Sequence, residues 1–130
     1  MDLRSLIVDD SAHFLSAARE LLEREGISVV GVASTGEEAV RLVQDLRPDV
    51  ALVDIDLGEE SGFELARRLA GPGADELTRV VLISAYPERD FADLIAQSPA
   101  AGFLAKPDLS ASRIREILGA GEDGTRTELA

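Results

Sequence analysis

Five side chains that could act together on a phosphoryl group follow short apolar segments of this sequence. Asp9 and Asp10 come directly after one such segment, Asp54 and Ser84 end two others, and Lys106 follows a fourth. A carboxylate can attack phosphorus and carry the transferred group as an acyl phosphate. An ammonium and a hydroxyl can bind the phosphoryl oxygens. These residue types favour phosphoryl transfer to an aspartate, provided that the fold brings them together.

The segments that must position these side chains alternate between two patterns. Short runs rich in Val, Leu and Ile predict buried strands, and longer runs with apolar residues at helical spacing predict amphipathic helices. Predicted strands cover residues 3–8, 27–33, 49–54, 80–84 and 101–105. Predicted helices lie between an N-cap at Ser11 and Gly26, and over residues 34–46, 63–70, 88–97 and 110–118.

Strict alternation of strand and helix predicts an α/β fold with a five-stranded parallel sheet, doubly wound as (βα)5. In such a sheet the carboxyl ends of the strands lie along one edge, and ligands bind there. All five chemical side chains stand at these ends. We therefore expect them to gather in one crevice.

The three carboxylates of Asp9, Asp10 and Asp54 would repel one another in that crevice unless a cation neutralised them. Hard oxygen ligands without histidine or cysteine favour Mg²⁺, with Mn²⁺ as an alternative. Mg²⁺ uses few carboxylates and leaves positions for water and phosphate oxygens. The sequence therefore predicts a Mg²⁺ site beside the nucleophile.

Composition and charge narrow the class of protein. A chain of 130 residues fits one domain, and the absence of cysteine excludes a disulfide framework or a thiol nucleophile. The net charge of −12 argues against direct binding to nucleic acid or to an anionic membrane. Neither a signal-peptide pattern nor an apolar run of about 20 residues is present, which predicts a cytoplasmic location.

The end of the chain differs in composition from the rest. Residues 1–118 carry the strand and helix patterns and are expected to form one domain. Residues 119–130 are polar and rich in glycine, which is typical of a disordered tail or of the stub of a linker.

Four motifs stand in order at the predicted strand ends. They are Val8-Asp9-Asp10-Ser11, Val53-Asp54-Ile55-Asp56-Leu57 with Gly62 beyond it, Leu82-Ile83-Ser84-Ala85, and Gly102-Phe103-Leu104-Ala105-Lys106-Pro107. With these motifs the sequence resembles the response-regulator receiver family of two-component signalling, the CheY-like domains, from about Leu3 to Leu118. The resemblance implies the flavodoxin-like strand order 2-1-3-4-5.

The resemblance also implies roles around the phosphate. Asp54 would be the phosphoacceptor. Asp10 would bind Mg²⁺ directly and Asp9 mainly through water, with further ligands from Asp54 and from the backbone carbonyl of Asp56.

Other positions of the motifs would act on the phosphoryl group once it is attached. Ser84 and Lys106 would bind its oxygens, and Phe103 holds the family's switch-aromatic position. Asp56 and Tyr86 flank the path of attacking water, so we expect them to tune the lifetime of the phosphate.

Three features concern how this chain compares with the family pattern. Gly58 stands where the family usually has proline, which would make the loop after Asp54 more mobile. Phe103 replaces the commoner tyrosine and therefore carries no hydroxyl. The Lys106–Pro107 peptide bond is expected to be cis.

The resulting prediction is a signalling switch, with no enzymatic activity beyond its own phosphorylation and dephosphorylation. A histidine kinase or a histidine phosphotransfer protein would donate the phosphoryl group. An output partner would bind the face formed by helix 4, strand 5 and helix 5, and a homodimer is conceivable.

Three alternatives remain open at the level of sequence. The chain could be the receiver part of a longer DNA-binding transcription regulator. It could be a scaffold that works without phosphorylation. It could also be a Mg²⁺-dependent phosphohydrolase, for which Asp56 superficially fits the second aspartate.

Overall fold

A computed structural model of the chain describes residues 3–70 and 78–119, and five parallel strands in this part form one sheet. The strands are β1 (Leu3–Val8), β2 (Ile27–Ala33), β3 (Val50–Asp54), β4 (Arg79–Ser84) and β5 (Gly102–Ala105). They are ordered β2-β1-β3-β4-β5 across the sheet. The predicted fold class and strand order are therefore confirmed.

Helices cover both faces of the sheet because the strands bury side chains on both. The helices are α1 (Ala12–Arg24), α2 (Gly36–Leu46), α3 (Gly62–Ala70), α4 (Ala92–Gln97) and α5 (residues 111–119). One buried cluster joins α1 and α5 to alternate strand residues such as Ile7, and the other joins α2 and α3 to residues such as Leu6 and Val8. This alternation follows the two-residue period of a strand.

Hydroxyl side chains cap the beginnings of α1 and α2, at the predicted Ser11 and at Thr35. Ser11 Oγ accepts the backbone N–H of Phe14 at 3.2 Å at the start of α1. Thr35 Oγ1 accepts the N–H of Glu38 at the start of α2. Gly26 follows α1 with φ +95°, a conformation that glycine adopts without steric cost. These caps fix where α1 and α2 leave the functional edge of the sheet.

The segment over residues 88–97 departs from the prediction of one continuous helix. It consists of a 3₁₀ helix, Glu88–Phe91, followed by the six-residue α4. Phe91 interrupts the helix with φ −129° and ψ 16°. Neither part contains a fully buried residue, although Phe91 and Ile95 pack partly buried against the core, so tertiary packing contributes less to a longer helix here than it does to the other helices.

The expectation of a cis Lys106–Pro107 bond is wrong for this structure. All peptide bonds of the described residues are trans. Pro107 lies in the first turn of a 3₁₀ helix, Lys106–Asp108, that follows β5. The trans form of such a bond is lower in free energy by about 0.5–1 kcal/mol in the absence of other constraints.

Two further expectations concern the ends and the surroundings of the chain. The predicted tail over residues 119–130 lies outside the described residues, except for its first residue, which ends α5. Among the described helices, none is long and apolar enough to cross a membrane.

Candidate functional site

The carboxyl edge of the sheet carries an open crevice of about 760 Å³. Six of the predicted site residues line it: Asp10, Asp54, Asp56, Ser84, Tyr86 and Lys106. Asp9 lies with its side chain fully buried and contacts the same Lys106 ammonium as Asp54 does. The alternation of strand and helix thus brings distant parts of the chain to one place, as expected.

Lys106 forms the charged centre of the crevice. Its Nζ atom lies 2.6 Å from Asp9 Oδ2 and 3.2 Å from Asp54 Oδ2. The first contact is an ion pair rather than an aligned hydrogen bond, since Asp9 Oδ2 has no hydrogen-bond partner in the described part of the chain. The ammonium also stands 4.3 Å from the centre of the Phe14 ring. One cation therefore serves two carboxylates.

Burial dominates the electrostatics of Asp54. Loss of solvent around the carboxyl and, to a smaller extent, the nearby Asp9 raise the pKa of Asp54, and the net result of all its neighbours is a pKa of about 6. The backbone N–H of Asp56 and the Lys106 ammonium act in the opposite direction. Burial by itself would lower the pKa of Lys106, but its contacts with Asp9 and Asp54 raise that pKa above its ordinary value. The single ammonium thus leaves the negative charge incompletely compensated.

The cluster of carboxylates fits a divalent cation. Asp9, Asp10 and Asp54 each offer an oxygen atom, and these oxygens lie within 4.8 Å of one another. Asp10 is exposed to the crevice, whereas Asp9 and Asp54 are buried. An all-oxygen set that is partly open to solvent is the kind of site that Mg²⁺ occupies.

The chain after Asp54 forms a two-stranded hairpin, where the sequence predicted a loop. Residues Asp56–Leu57 pair antiparallel with Glu60–Ser61. Gly58 begins the two-residue turn with φ +75°, which proline cannot adopt and glycine adopts freely. The N–H of Asp56 donates to Asp54 Oδ1 at 3.0 Å, so the start of the hairpin is fixed to the acceptor side chain. We call residues 56–61 the acidic hairpin.

Gly62 allows the acidic hairpin to return close to β3. A Cβ atom at this position would overlap the backbone oxygen of Asp54 and the Cα atom of Ile55. The N–H of Gly62 donates to the carbonyl of Ile55 at 2.9 Å. The glycine in the motif is thus explained by close backbone approach.

Comparison with known proteins gives the family. The family model for the response regulator receiver domain matches residues 5–118. The chain belongs to the response regulator receiver domain family. It is therefore a receiver domain of the kind found in two-component response regulators, and this assignment decides against the phosphohydrolase alternative.

Curated relatives are longer than this receiver. It is 30% identical over 136 residues to the transcriptional regulatory protein PdtaR of Mycobacterium tuberculosis, covering 96% of the chain and 65% of the relative. It is 34% identical over 116 residues to the response regulator UvrY of Escherichia coli, covering 86% of the chain and 52% of the relative. The chain thus spans about half to two-thirds of the length of these relatives.

Solved structures agree with the fold. The signal receiver domain of the putative response regulator NarL from Mycobacterium tuberculosis superposes with a TM-score of 0.75 at 32% identity, and 96% of this chain and 97% of that one are covered. Receiver domains are signalling modules that are generally not enzymes, and they bind Mg²⁺ through an acidic pocket. Response regulators interact with histidine kinases and output domains.

The remaining predicted site residues differ in how far they are buried and in whether they line the crevice. Ser84 is buried at the end of β4, and its Oγ accepts the N–H of Tyr86 at 3.0 Å. Tyr86 is 60% exposed at the rim of the crevice. Phe103 lies half-buried, packed against the cluster of α2 and α3, and is not among the residues that line the crevice.

Two contacts of this receiver were missed by the sequence reasoning. Phe14 lies against Lys106, and Glu60 accepts two hydrogen bonds from Gly36 N–H at the start of α2, at 3.0 and 3.2 Å. Both join segments far apart in the sequence. The only available signal was their position within a turn of a motif residue, and that signal is too common to identify a contact.

Proposed function

We propose that this receiver is a phosphorylation-operated switch whose phosphoacceptor is Asp54. The observation that carries the proposal is the Lys106 ammonium, which lies 3.2 Å from Asp54 Oδ2 beside three carboxylates whose oxygens are within 4.8 Å of one another. Such a site combines a nucleophile with positive charge for the incoming group. It does so at the carboxyl edge of a parallel sheet, where α/β folds bind ligands.

The chemistry follows from these groups. An Asp54 carboxylate oxygen attacks phosphorus, the bond from phosphorus to the donor nitrogen or oxygen breaks, and an acyl phosphate forms on Asp54. The leaving group departs with the electron pair of the broken bond. The Lys106 ammonium compensates the charge of the phosphoryl oxygens during this exchange.

Mg²⁺ supplies further positive charge to the phosphoryl oxygens when it is bound. Asp9, Asp10 and Asp54 are the residues that would hold it, together with the backbone carbonyl of Asp56. Mn²⁺ fits the same oxygen ligands. The proximity of the three carboxylates supports this set of ligands.

Residues around the crevice would then respond to the phosphoryl group and control how long it stays attached. The Ser84 hydroxyl would turn from the N–H of Tyr86 toward a phosphoryl oxygen, and Phe103 would change its packing as the switch aromatic. Tyr86 and Asp56, which both line the crevice, would control the approach of water and hence autodephosphorylation.

Partners follow from the family. A histidine kinase or a histidine phosphotransfer protein would donate the phosphoryl group, and an output partner or a second copy would bind the face of α4, β5 and α5. Residues 1–118 would form the switching unit, in agreement with the family match to residues 5–118. The net charge of −12 of the whole chain disfavours direct contact with nucleic acid.

A second candidate is that the chain works as the receiver part of a longer transcription regulator. The favouring observation is that PdtaR, a transcriptional regulatory protein, extends beyond the matched region, since only 65% of it is covered. The acceptor chemistry is the same in both candidates. They differ only in whether the output module is on the same chain.

Phosphorylation of the purified chain by acetyl phosphate tests the proposal. With Mg²⁺ we expect the mass to increase by one phosphoryl group, and we expect no increase with a chelator or in Asp54→Asn. The control is Asp49→Asn, because Asp49 is an exposed carboxylate next to the opposite end of β3. A phosphoryl group on Asp54→Asn, or none on the wild-type chain, would contradict the assignment.

A further inference from the structure

The Lys106 ammonium has a neighbour on each of three sides. Two are the carboxylate oxygens Asp9 Oδ2 and Asp54 Oδ2, and the third is the face of the Phe14 ring, 4.3 Å away. The side chain of Lys106 is only 20% exposed as a result. An ammonium has three N–H donors. The ring therefore occupies the side on which water would otherwise solvate the cation.

We propose that Phe14 is a positioning residue for Lys106: its ring holds the ammonium between Asp9 and Asp54 through a cation–π contact. The effect on catalysis rests on the proposed function of Asp54, whereas the positioning itself does not. Phe14 touches neither the acceptor nor the phosphoryl group in this proposal. It acts through the lysine.

The ring is fixed relative to the carboxylates by the turn that begins α1. The N–H of Ser11 donates to Asp9 Oδ1 at 2.8 Å, and Ser11 Oγ accepts the N–H of Phe14 at 3.2 Å. Three consecutive contacts thus lead from the Asp9 carboxylate to the Phe14 backbone and back to Lys106. Phe14 also packs against the cluster of α1 and α5, which restricts its ring.

The contact matters because Lys106 must exchange partners when a phosphoryl group arrives. A carboxylate neighbour can be replaced by a phosphoryl oxygen, but the aromatic face stays in place during the exchange. The ring thereby keeps the charge at the crevice and keeps water from its outer side. A cation–π contact at a partly exposed site contributes about 0.5–1 kcal/mol, which corresponds to about a two- to fivefold effect on a rate.

The composition of the chain provides a direct test of positioning. Lys106 is the only lysine, so ¹³C-labelled lysine gives one set of side-chain signals in an NMR spectrum. We expect the methylene protons next to the ammonium to be shifted upfield by the ring current. Phe14→Leu should remove this shift, and Phe14→Trp, which retains an aromatic face, should preserve it.

The matched control is Phe91→Leu. Phe91 also lines the crevice and is half-buried, and the described contacts place its ring against Phe63, at 6.4 Å between centroids. The same chemical change there should leave the lysine signals in place. Unchanged lysine signals in a folded Phe14→Leu variant would overturn the proposal. If Phe14→Leu does not fold, loss of the upfield shift in folded Phe14→Trp would do so.

The functional arm measures the rate of phosphorylation by acetyl phosphate at saturating Mg²⁺. We expect Phe14→Leu to be about two- to fivefold slower than the wild-type chain, and Phe14→Trp to recover most of the rate. A changed lysine signal with an unchanged rate would overturn the catalytic consequence. An absence of phosphorylation in the wild-type chain would overturn the function of Asp54 and leave the lysine measurement standing.

Discussion

On one side of Asp54, its Oδ2 atom contacts the Lys106 ammonium, which also contacts the fully buried Asp9. On the other side, its Oδ1 atom accepts the N–H of Asp56 at the base of the acidic hairpin. We call Asp9, Lys106 and Phe14 the buried flank, and Asp10 with the acidic hairpin the open flank. The first is held by contacts between charged and aromatic side chains, and the second mainly by backbone hydrogen bonds and a turn.

The difference between the two flanks shows where uncompensated negative charge lies in the site. In the buried flank, the Lys106 ammonium is shared between the buried carboxylates of Asp9 and Asp54, so removing a single group leaves a charge uncompensated. In the open flank, Asp10 and Asp56 are exposed and water screens them. A partner or an ion that enters the crevice contacts the open flank. The charge of that partner or ion nevertheless acts on the residues of the buried flank.

The largest effect is expected from removing the ammonium. Lys106→Met leaves Asp9 and Asp54 buried without a cation, which should lower the free energy of unfolding by about 2–4 kcal/mol in the presence of a chelator. This is somewhat less than the roughly 3–5 kcal/mol typical of a fully buried pair, because the lysine is partly exposed. Urea unfolding followed by circular dichroism measures the change. Added Mg²⁺ should restore part of the loss.

The control is Arg41→Met on α2. Arg41 forms an ion pair with Glu37 at 3.7 Å, but both side chains are largely exposed. Such a pair contributes about 0.5 kcal/mol or less. Equal losses in the two variants would show that the buried flank is no different from the helix surface.

The second effect concerns pH. The pKa of Asp54 is raised from its ordinary value of 3.8 to about 6 in the folded chain. The stability associated with the protonated carboxyl is therefore fully present below about pH 4 and is lost as the pH rises through about 6. At pH 7 without a divalent cation, Asp54→Asn should be more stable than the wild-type chain by on the order of 2–3 kcal/mol.

Unfolding free energies at several values of pH, in chelator and in Mg²⁺, measure this difference. The advantage of Asp54→Asn should disappear near pH 4, where the wild-type carboxyl is also neutral. It should shrink in Mg²⁺, because the ion compensates the same charge. An advantage that is constant with pH would have a cause other than ionisation of Asp54.

The charged residues of both flanks could be predicted from sequence, whereas the contact of Phe14 with Lys106 and the hairpin of the open flank could not. Asp9, Asp54 and Lys106 stand at strand ends, and strand order alone brings such ends together. The hairpin instead depends on the positive φ of Gly58 and on a contact between Glu60 and Gly36, 24 residues apart. The interruption of the helix at Phe91 was missed for a similar reason, because it depends on how little of this segment is buried against the core.

The smallest effect is expected from the connection between the acidic hairpin and α2. The Glu60 carboxylate accepts the Gly36 N–H with both oxygens, at the end of the helix where the dipole favours negative charge. Glu60→Ala should lower the free energy of unfolding by about 1 kcal/mol, since one charge-assisted hydrogen bond is lost at a half-buried position. Hydrogen exchange at the Gly36 amide should become faster.

Two conservative variants of Glu60 separate the effect of side-chain length from the effect of charge. Glu60→Gln keeps the length and one acceptor oxygen, whereas Glu60→Asp keeps the charge and is shorter by one methylene. If the hydrogen bond holds the hairpin, Gln should protect the Gly36 amide better than Asp, and Glu59→Ala on the exposed turn should change neither quantity. The opposite order would mean that the charge acts at a distance. The open flank would then be stabilised by electrostatics as the buried flank is, and the contrast between the two sides of Asp54 would reduce to their exposure to water.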